Sequence, residues 1–210
     1  MRITKHEHAF LQLEQDGHQL LVDPGVYSAE LPETKNVRAI TLSHVHDDHS
    51  FRPHLETLLA RHPDAKVFGP KEVAEKLAGI PVTVSFHGDR QQVGPFTIDF
   101  YGYLHQEIHR SIPLVQNLAV MINGLYYPGD SYTIPEVSVE LLACPSSAPW
   151  LKISDVMDFL ATLKPARVFP THNALLSEAG HQLQNGRIKE VSESLGGTFE
   201  YLLPGESMEI

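Results

Sequence analysis

The stretch Ser43-His44-Val45-His46-Asp47-Asp48-His49-Ser50 puts three imidazoles and two carboxylates into consecutive positions, directly after the apolar run Ala39-Ile40-Thr41-Leu42. The apolar run reads as a strand, so the polar cluster is delivered at a strand end. Side chains alternate along an extended segment, which lets His44 and His46 leave the backbone on one side and grip one ion together. Asp48 and His49 follow at a different angle, above all if the chain turns into a helix there, and can reach a second ion beside the first. Imidazole nitrogen with carboxylate oxygen suits zinc, and also manganese or iron. The competing reading is a solvated charge cluster, since Asp and Glu are mostly surface residues. Clustered His and Asp at ligand spacing favour the metal.

The rest of the chain alternates between strand and helix patterns. Residues 9–13 and 19–22 are β-like runs around Asp16-Gly17, a hairpin signal. The second run ends in Asp23-Pro24-Gly25, whose usual job is to start a turn. Loop chemistry continues to about Asn36 before the strand that carries the motif. Pro53–Arg61 has helical spacing of its apolar residues, and His54 and His62 read as surface positions of that helix and its end. Lys66–Gly69 reads as a strand, and Lys71–Ala78 as a helix closed by Gly79. Strands follow at 82–86, 90–93 and 96–101, then a hairpin at 118–122 and 124–127 around Asn123-Gly124. A helix is expected at 152–163, apolar at 153, 156, 157, 160 and 163, with Ser154 as a candidate cap. A strand at 166–170 presents Thr171-His172-Asn173, and the tail holds a helical segment near 184–195 and a last strand near 198–203. Strand–helix alternation of this kind points to a layered α/β domain.

At 210 residues the chain is long enough for one well-buried domain and short for two, so 1–210 is read as one domain. A net charge of −10 argues against a general nucleic-acid or anionic-membrane surface. Cys144 is the one cysteine, so no intrachain disulfide can form and a reducing compartment fits. The first residues lack the apolar core of a signal peptide, and no apolar run approaches membrane-spanning length. A cytoplasmic location and a small-molecule substrate are the expectations, with no nucleic-acid partner and no membrane insertion.

The histidine cluster resembles the first motif of the metallo-β-lactamase superfamily of metal-dependent hydrolases, Thr-His-x-His-x-Asp-His, with Ser43 keeping the hydroxyl of the Thr. The resemblance runs from Asp23 through His172, with the motifs in the family's order. It implies an αβ/βα sandwich of four layers, two β-sheets flanked by helices. It also implies that Asp130, in Gly129-Asp130-Ser131, bridges two metals and that His172 is the last histidine ligand. His105 and His109 both follow the strand at 96–101. His105 is nearer the strand end and matches the family's Gly-x-x-His arrangement with Gly102, so it is chosen, leaving His109 as a group that faces the substrate or holds a ligand in place. His8 and Asp23 are candidates for the same supporting roles. The implied site is His44, His46 and His105 on one metal, Asp48, His49 and His172 on the other, and Asp130 between them.

At the site the resemblance implies, two such ions would supply a hydroxide nucleophile, with Asp48 orienting the water and relaying its proton. Zinc is the first choice, manganese or iron the alternatives. Cys144, in Ala143-Cys144-Pro145, reads as an inert buried thiol. Within the superfamily the chain is similar to the compact bacterial branch that includes ascorbate-6-phosphate lactonase-like and phospholipase-D-like proteins. The marks are His8-Ala9, Leu21-Val22-Asp23-Pro24-Gly25 and Tyr127-Pro128-Gly129-Asp130-Ser131. The segment from Cys144 to Trp150 would line the cleft opposite the metals. The resemblance implies a hydrolase of a small lactone or phosphoester, which relatives suggest self-associates. The competing classes are a di-iron redox enzyme on the same fold and a metal-stabilised binding protein without turnover.

Overall fold

Two seven-stranded sheets face each other, and helices cover the outer face of each. The structure, a computed structural model, describes residues 1–210. The first part of the chain runs β1 (Arg2–Lys5), β2 (Leu11–Gln15), β3 (His18–Val22), β4 (Val37–Thr41), α1 (Arg52–Arg61), β5 (Lys66–Gly69), α2 (Lys71–Lys76) and β6 (Val82–Val84). The second runs β7 (Arg90–Val93), β8 (Phe96–Tyr101), β9 (Ala119–Ile122), β10 (Leu125–Tyr127), β11 (Leu141–Pro145), α3 (Ile153–Leu163), β12 (Arg167–Thr171), α4 (Glu178–Ser194), β13 (Thr198–Phe199) and β14 (Ser207–Glu209). One sheet has the order β14-β1-β2-β3-β4-β5-β6, the other β13-β12-β11-β10-β9-β8-β7. Each is antiparallel at one end and parallel at the other, with β3 to β6 and β10 to β13 running parallel.

Period-two alternation sorts the side chains into layers. Leu20, Val22, Ala39, Leu141 and Ala143 point between the sheets, where they meet Phe96, Ile98 and Phe169. Their neighbours Leu21 and Ile40 point outward onto Leu55 and Leu58 of α1 and Val73 of α2. On the far side Leu142 and Cys144 meet Val156, Phe159 and Leu160 of α3 and Ile188 of α4. The result is the four-layer αβ/βα sandwich implied by the histidine motif.

Both hairpins fold as their turn residues dictate. Asp16 and Gly17 take φ 51° and 73°, and Asn123 and Gly124 take 46° and 97°. Two successive positive φ values make the turn whose twist matches paired strands. Several boundaries differ from the sequence reading. The strand expected at 9–13 lies at Leu11–Gln15, because His8 takes φ 58° and the chain turns there, Phe10 N–H donating to Glu7 O. The last strand shrinks to Thr198–Phe199, while α4 starts six residues earlier than expected, at Glu178, where the Ser177 hydroxyl caps it by accepting from Gly180 N–H. Ser154 does not cap α3. Lys152 occupies that position and the Ser154 hydroxyl donates to Asp155 instead. Strands β1, β11 and β14 were unforeseen.

Candidate metal centre

The motif leaves β4 extended, and His44 Nε2 comes within 3.0 Å of His46 Nδ1. The chain then turns tightly, with His49 N–H and Ser50 N–H both donating to His46 O. That turn sends Asp48 and His49 to a separate position. Lys76 on α2 clamps it: its ammonium donates to Val45 O, Ser50 O and Asp47 Oδ1, which ties Asp47 away from the cluster. Gly25 seals the other side. A Cβ at Gly25 would collide with the carbonyl of Asp48, so Asp23-Pro24-Gly25 is a cradle for the motif as well as a turn.

The second sheet supplies the remaining side chains from the ends of β8, β10 and β12. His105, Asp130 and His172 are 5%, 3% and 4% exposed. His105 Nε2 lies 3.3 Å from Asp130 Oδ2, while His49 Nε2 and His172 Nε2 each lie 3.2 Å from Asp130 Oδ1. Asp48 Oδ2 is 3.5 Å from His172 Nε2 and 3.7 Å from His49 Nε2. The structure thus gathers His44, His46 and His105 on one side, Asp48, His49 and His172 on the other, and Asp130 between. Asp130 is held by Asn117, which accepts from Asp130 N–H at 3.0 Å and donates to Pro128 O at 3.0 Å.

The hydrogen bonds to the outer ring nitrogens fix the tautomers. His49 Nδ1 donates to Asp23 Oδ2 (2.7 Å), His172 Nδ1 to Ser147 O (2.5 Å) and His105 Nδ1 to Gln106 O (2.5 Å). Ser43 gives its own proton to Asp23 Oδ2, so its oxygen accepts from His44 Nδ1 at 3.0 Å. Each of these four rings, when neutral, turns an Nε2 lone pair inward. Two of those lone pairs, on His49 and His172, face each other across 3.1 Å. His105 Nε2 and Asp130 Oδ1 are buried with no hydrogen-bond partner. Lone pairs aimed at lone pairs repel unless a cation lies among them, and carboxylate or carbonyl partners on the outer nitrogen are how metal-binding histidines are held. The residues fit divalent metal ions.

The charges agree. Burial pushes the His49 imidazolium down, but Asp130 and Asp23 outweigh it and lift its pKa well above the usual value. The same opposition carries His172 up to about 9. Asp130 and Asp48 resist burial and stay well below the carboxylate range, held by His172 and His49 for the first and by hydrogen bonds from His172 and His8 for the second. His44, beside no such carboxylate pair, is pushed well below by burial and by His49. The space between Asp130, Asp48, His49 and His172 demands positive charge.

His8 lies close enough to Asp48, His49 and His172 to count as a further ligand. Its tautomer says otherwise. Ala174 N–H donates to His8 Nδ1 (3.3 Å), so the proton sits on Nε2, which donates to Asp48 Oδ2 at 3.2 Å. His8 therefore holds Asp48 and offers no lone pair to a metal. Asp23 is fully buried and accepts from Ser43 N–H, the Ser43 hydroxyl, the Tyr127 hydroxyl and His49 Nδ1. His109 is not brought to the cluster: it is exposed and bonds Ser111 in its own loop, because the chain folds back after His105, whose N–H pairs with Val115 O.

The segment from Cys144 to Trp150 sits against the ligands and not opposite them. Ser147 holds His172, and Trp150 Nε1 donates to Asp130 Oδ2. Cys144 itself faces α3, fully buried, its thiol pKa pushed up by burial. Sequence reasoning missed Lys76, Asn117, Tyr127 and Trp150. Each holds a residue 13 or more positions away, and although Tyr127 and Trp150 fall in segments the resemblance marks, nothing in the sequence pairs them with Asp23 or Asp130.

The sequence profile of the Beta-lactamase superfamily domain matches residues 2–172. Protein Rv0786c of Mycobacterium tuberculosis is 32% identical over 213 residues, covering 99% of this chain and 98% of that protein. A UPF0173 metal-dependent hydrolase of Anoxybacillus flavithermus is 30% identical over 133 residues, 60% of this chain and 55% of that protein. Among solved structures, Igni18, a metallo hydrolase from the archaeon Ignicoccus hospitalis, superposes with a TM-score of 0.75 at 19% identity, over 100% of this chain and 98% of that one. With that profile spanning most of its length and a full-length relative at this identity, the chain belongs to the metallo-β-lactamase superfamily of metal-dependent hydrolases.

Proposed function

We propose that the protein is a dinuclear hydrolase that opens a small lactone or phosphoester, with His44, His46 and His105 on one ion, Asp48, His49 and His172 on the other, and Asp130 shared. The observation that carries this is the set of inward Nε2 lone pairs, each fixed by an acceptor on the outer nitrogen. Zinc fits the donor set, with manganese or iron as substitutes. A pair of such ions supplies Lewis acidity and lowers the pKa of bound water toward neutrality.

The chain's own groups do the rest. Asp48, ionised and about a quarter exposed, is the carboxylate able to accept a proton from water at the mouth of the site. His8 Nε2–H pins one of its oxygens, which orients the other. Asp130 is buried and held from three sides by Asn117, Trp150 and the imidazoles, so it positions and does not shuttle. Hydrolysis of a lactone adds water across the acyl C–O bond: the hydroxyl goes to carbon, the proton to the leaving oxygen, and Asp48 lies where that proton can be carried.

The test is metal content by plasma mass spectrometry on tag-free protein purified without chelator, for wild type and Asp130→Asn, followed by a screen of lactones and phosphodiesters. About two zinc or manganese ions per chain, reduced in the variant, with turnover of either substrate class, is the expected result. Two irons would redirect the reading to redox chemistry. Metal near zero that soaking cannot restore would overturn it.

A further inference from the structure

The largest cavity of the molecule, about 790 Å³, lies beside the metal centre and not over it. Small-molecule sites typically span roughly 300–1,000 Å³. One residue belongs to both places: His8 lines the cavity and donates from Nε2 to Asp48.

Helix α4 forms one wall, and its sequence is odd for a helix lying on a protein. Only Ile188 and Ser192 are buried, both in its second half. In its first half Glu178, His181, Gln182 and Asn185 line the cavity. These are positions i, i+3, i+4 and i+7, the face on which a helix packed on a core carries apolar residues. Here that face is polar, and Asn185 Oδ1 is shielded from solvent with no hydrogen-bond partner. The opposing wall is apolar, made by Phe199 and the stretch Tyr201-Leu202-Leu203-Pro204. Leu203 remains 51% exposed apolar surface, while Tyr201, 40% exposed, reaches across to α4, its hydroxyl 3.3 Å from His181 Nδ1. A polar helix face opposite an apolar wall leaves a gap suited to an amphipathic molecule. Glu7 and Glu178 outnumber Lys5 among the lining charges, which disfavours a phosphorylated occupant.

We propose that this cavity receives the non-reacting arm of the substrate, an uncharged acyl or aryl group carrying one hydroxyl or amide N–H donor for α4, whose lactone end reaches past His8 to the metals. This rests on the hydrolase reading and narrows it from phosphoester to lactone.

The experiment has two readouts on the zinc-loaded protein. The first is KM along a series from γ-butyrolactone to γ-dodecalactone. KM should fall roughly threefold per added methylene until the cavity is full, and Leu203→Arg should flatten the series. The second is an NMR titration with 1-decanol, followed at the ring protons of His181 and Tyr201, which should saturate in wild type and vanish in Leu203→Arg. A KM independent of chain length with turnover intact, or rings that ignore decanol, would overturn the cavity assignment and leave the hydrolase standing. If no lactone is turned over, the lactone reading falls, and the decanol titration alone decides whether the cavity takes an apolar arm.

Discussion

The indole N–H of Trp150 donates to Oδ2 of Asp130 over 2.7 Å, the same oxygen that lies 3.3 Å from His105 Nε2. Trp150 is the chain's one tryptophan, so its emission reports on the shared carboxylate. Metal loading should change that emission. Trp150→Phe should keep the fold but weaken metal affinity by roughly 10–100-fold, the usual cost of losing a group that holds a ligand. Equilibrium dialysis checks this, and unchanged affinity would show the hydrogen bond to be incidental.

Asp23 is the acceptor on which the motif's orientation depends. Asp23→Ala strands four buried donors, from Ser43, Tyr127 and His49. A loss of about 3–5 kcal/mol in urea denaturation is expected. Asp23→Asn keeps the shape but not the charge, so it should unfold less easily than the alanine variant while still binding metal poorly.

Gly25 offers a different test, of backbone and not of chemistry. Gly25→Ala drives a methyl into the Asp48 carbonyl. The expected outcome is a far-UV spectrum like wild type, a melting point lowered by the equivalent of about 1–3 kcal/mol, and metal content that falls because Asp48 and His49 shift.

Metal binding should release protons. Without metal, His172, lifted to about 9, and His49, lifted well above its usual value by Asp130 and Asp23, hold their protons at pH 7. Ligation needs both rings neutral, so the ion must displace those protons and affinity should rise with pH up to about 9. Calorimetry in two buffers of different ionisation enthalpy counts the release. A proton count of zero at pH 7 would contradict this electrostatic picture.

Lys5 is buried at 1% exposure, and burial lowers its pKa to about 8. The folded value lies below the unfolded one, so between them the unfolded chain holds the extra proton. Stability must therefore rise as pH climbs from about 8 toward 10.5, by roughly 2–3 kcal/mol. Lys5→Met should lack that rise, and denaturation midpoints of both proteins at pH 7.5 and 10 measure the difference.

The metal motif and both hairpins were legible because their signals are local. Asp16-Gly17 and Asn123-Gly124 need only neighbours to form a turn, and His44 through His49 sit within one strand end. β11 was missed because all five of its positions are buried: a strand covered on both faces shows no alternation, and Leu, Leu and Ala carry little strand preference. β1 and β14 pair with each other across almost the whole chain, which no window of sequence contains. The choice of His105 over His109 rests on its nearness to the strand end and on likeness to relatives, and of the two the structure brings His105 to the cluster. Of the groups that hold the ligands in place, His8 and Asp23 are marked by the resemblance, while Asn117, Tyr127 and Trp150 take their roles only in three dimensions. Asp23 and Tyr127, or Asp130 and Trp150, share no spacing that marks them as partners.

His44, His46, Asp48 and His49 come from one sheet, while His105, Asp130 and His172 come from the other. Neither half of the chain offers a complete binding site alone. An emerging polypeptide therefore passes most of its synthesis unable to capture ions securely, and the last histidine arrives only when β12 has docked. On the proposed ligand set, loading would be a late checkpoint: an ion held by both halves would act as a rivet across the sandwich, set only after the sheets have met correctly.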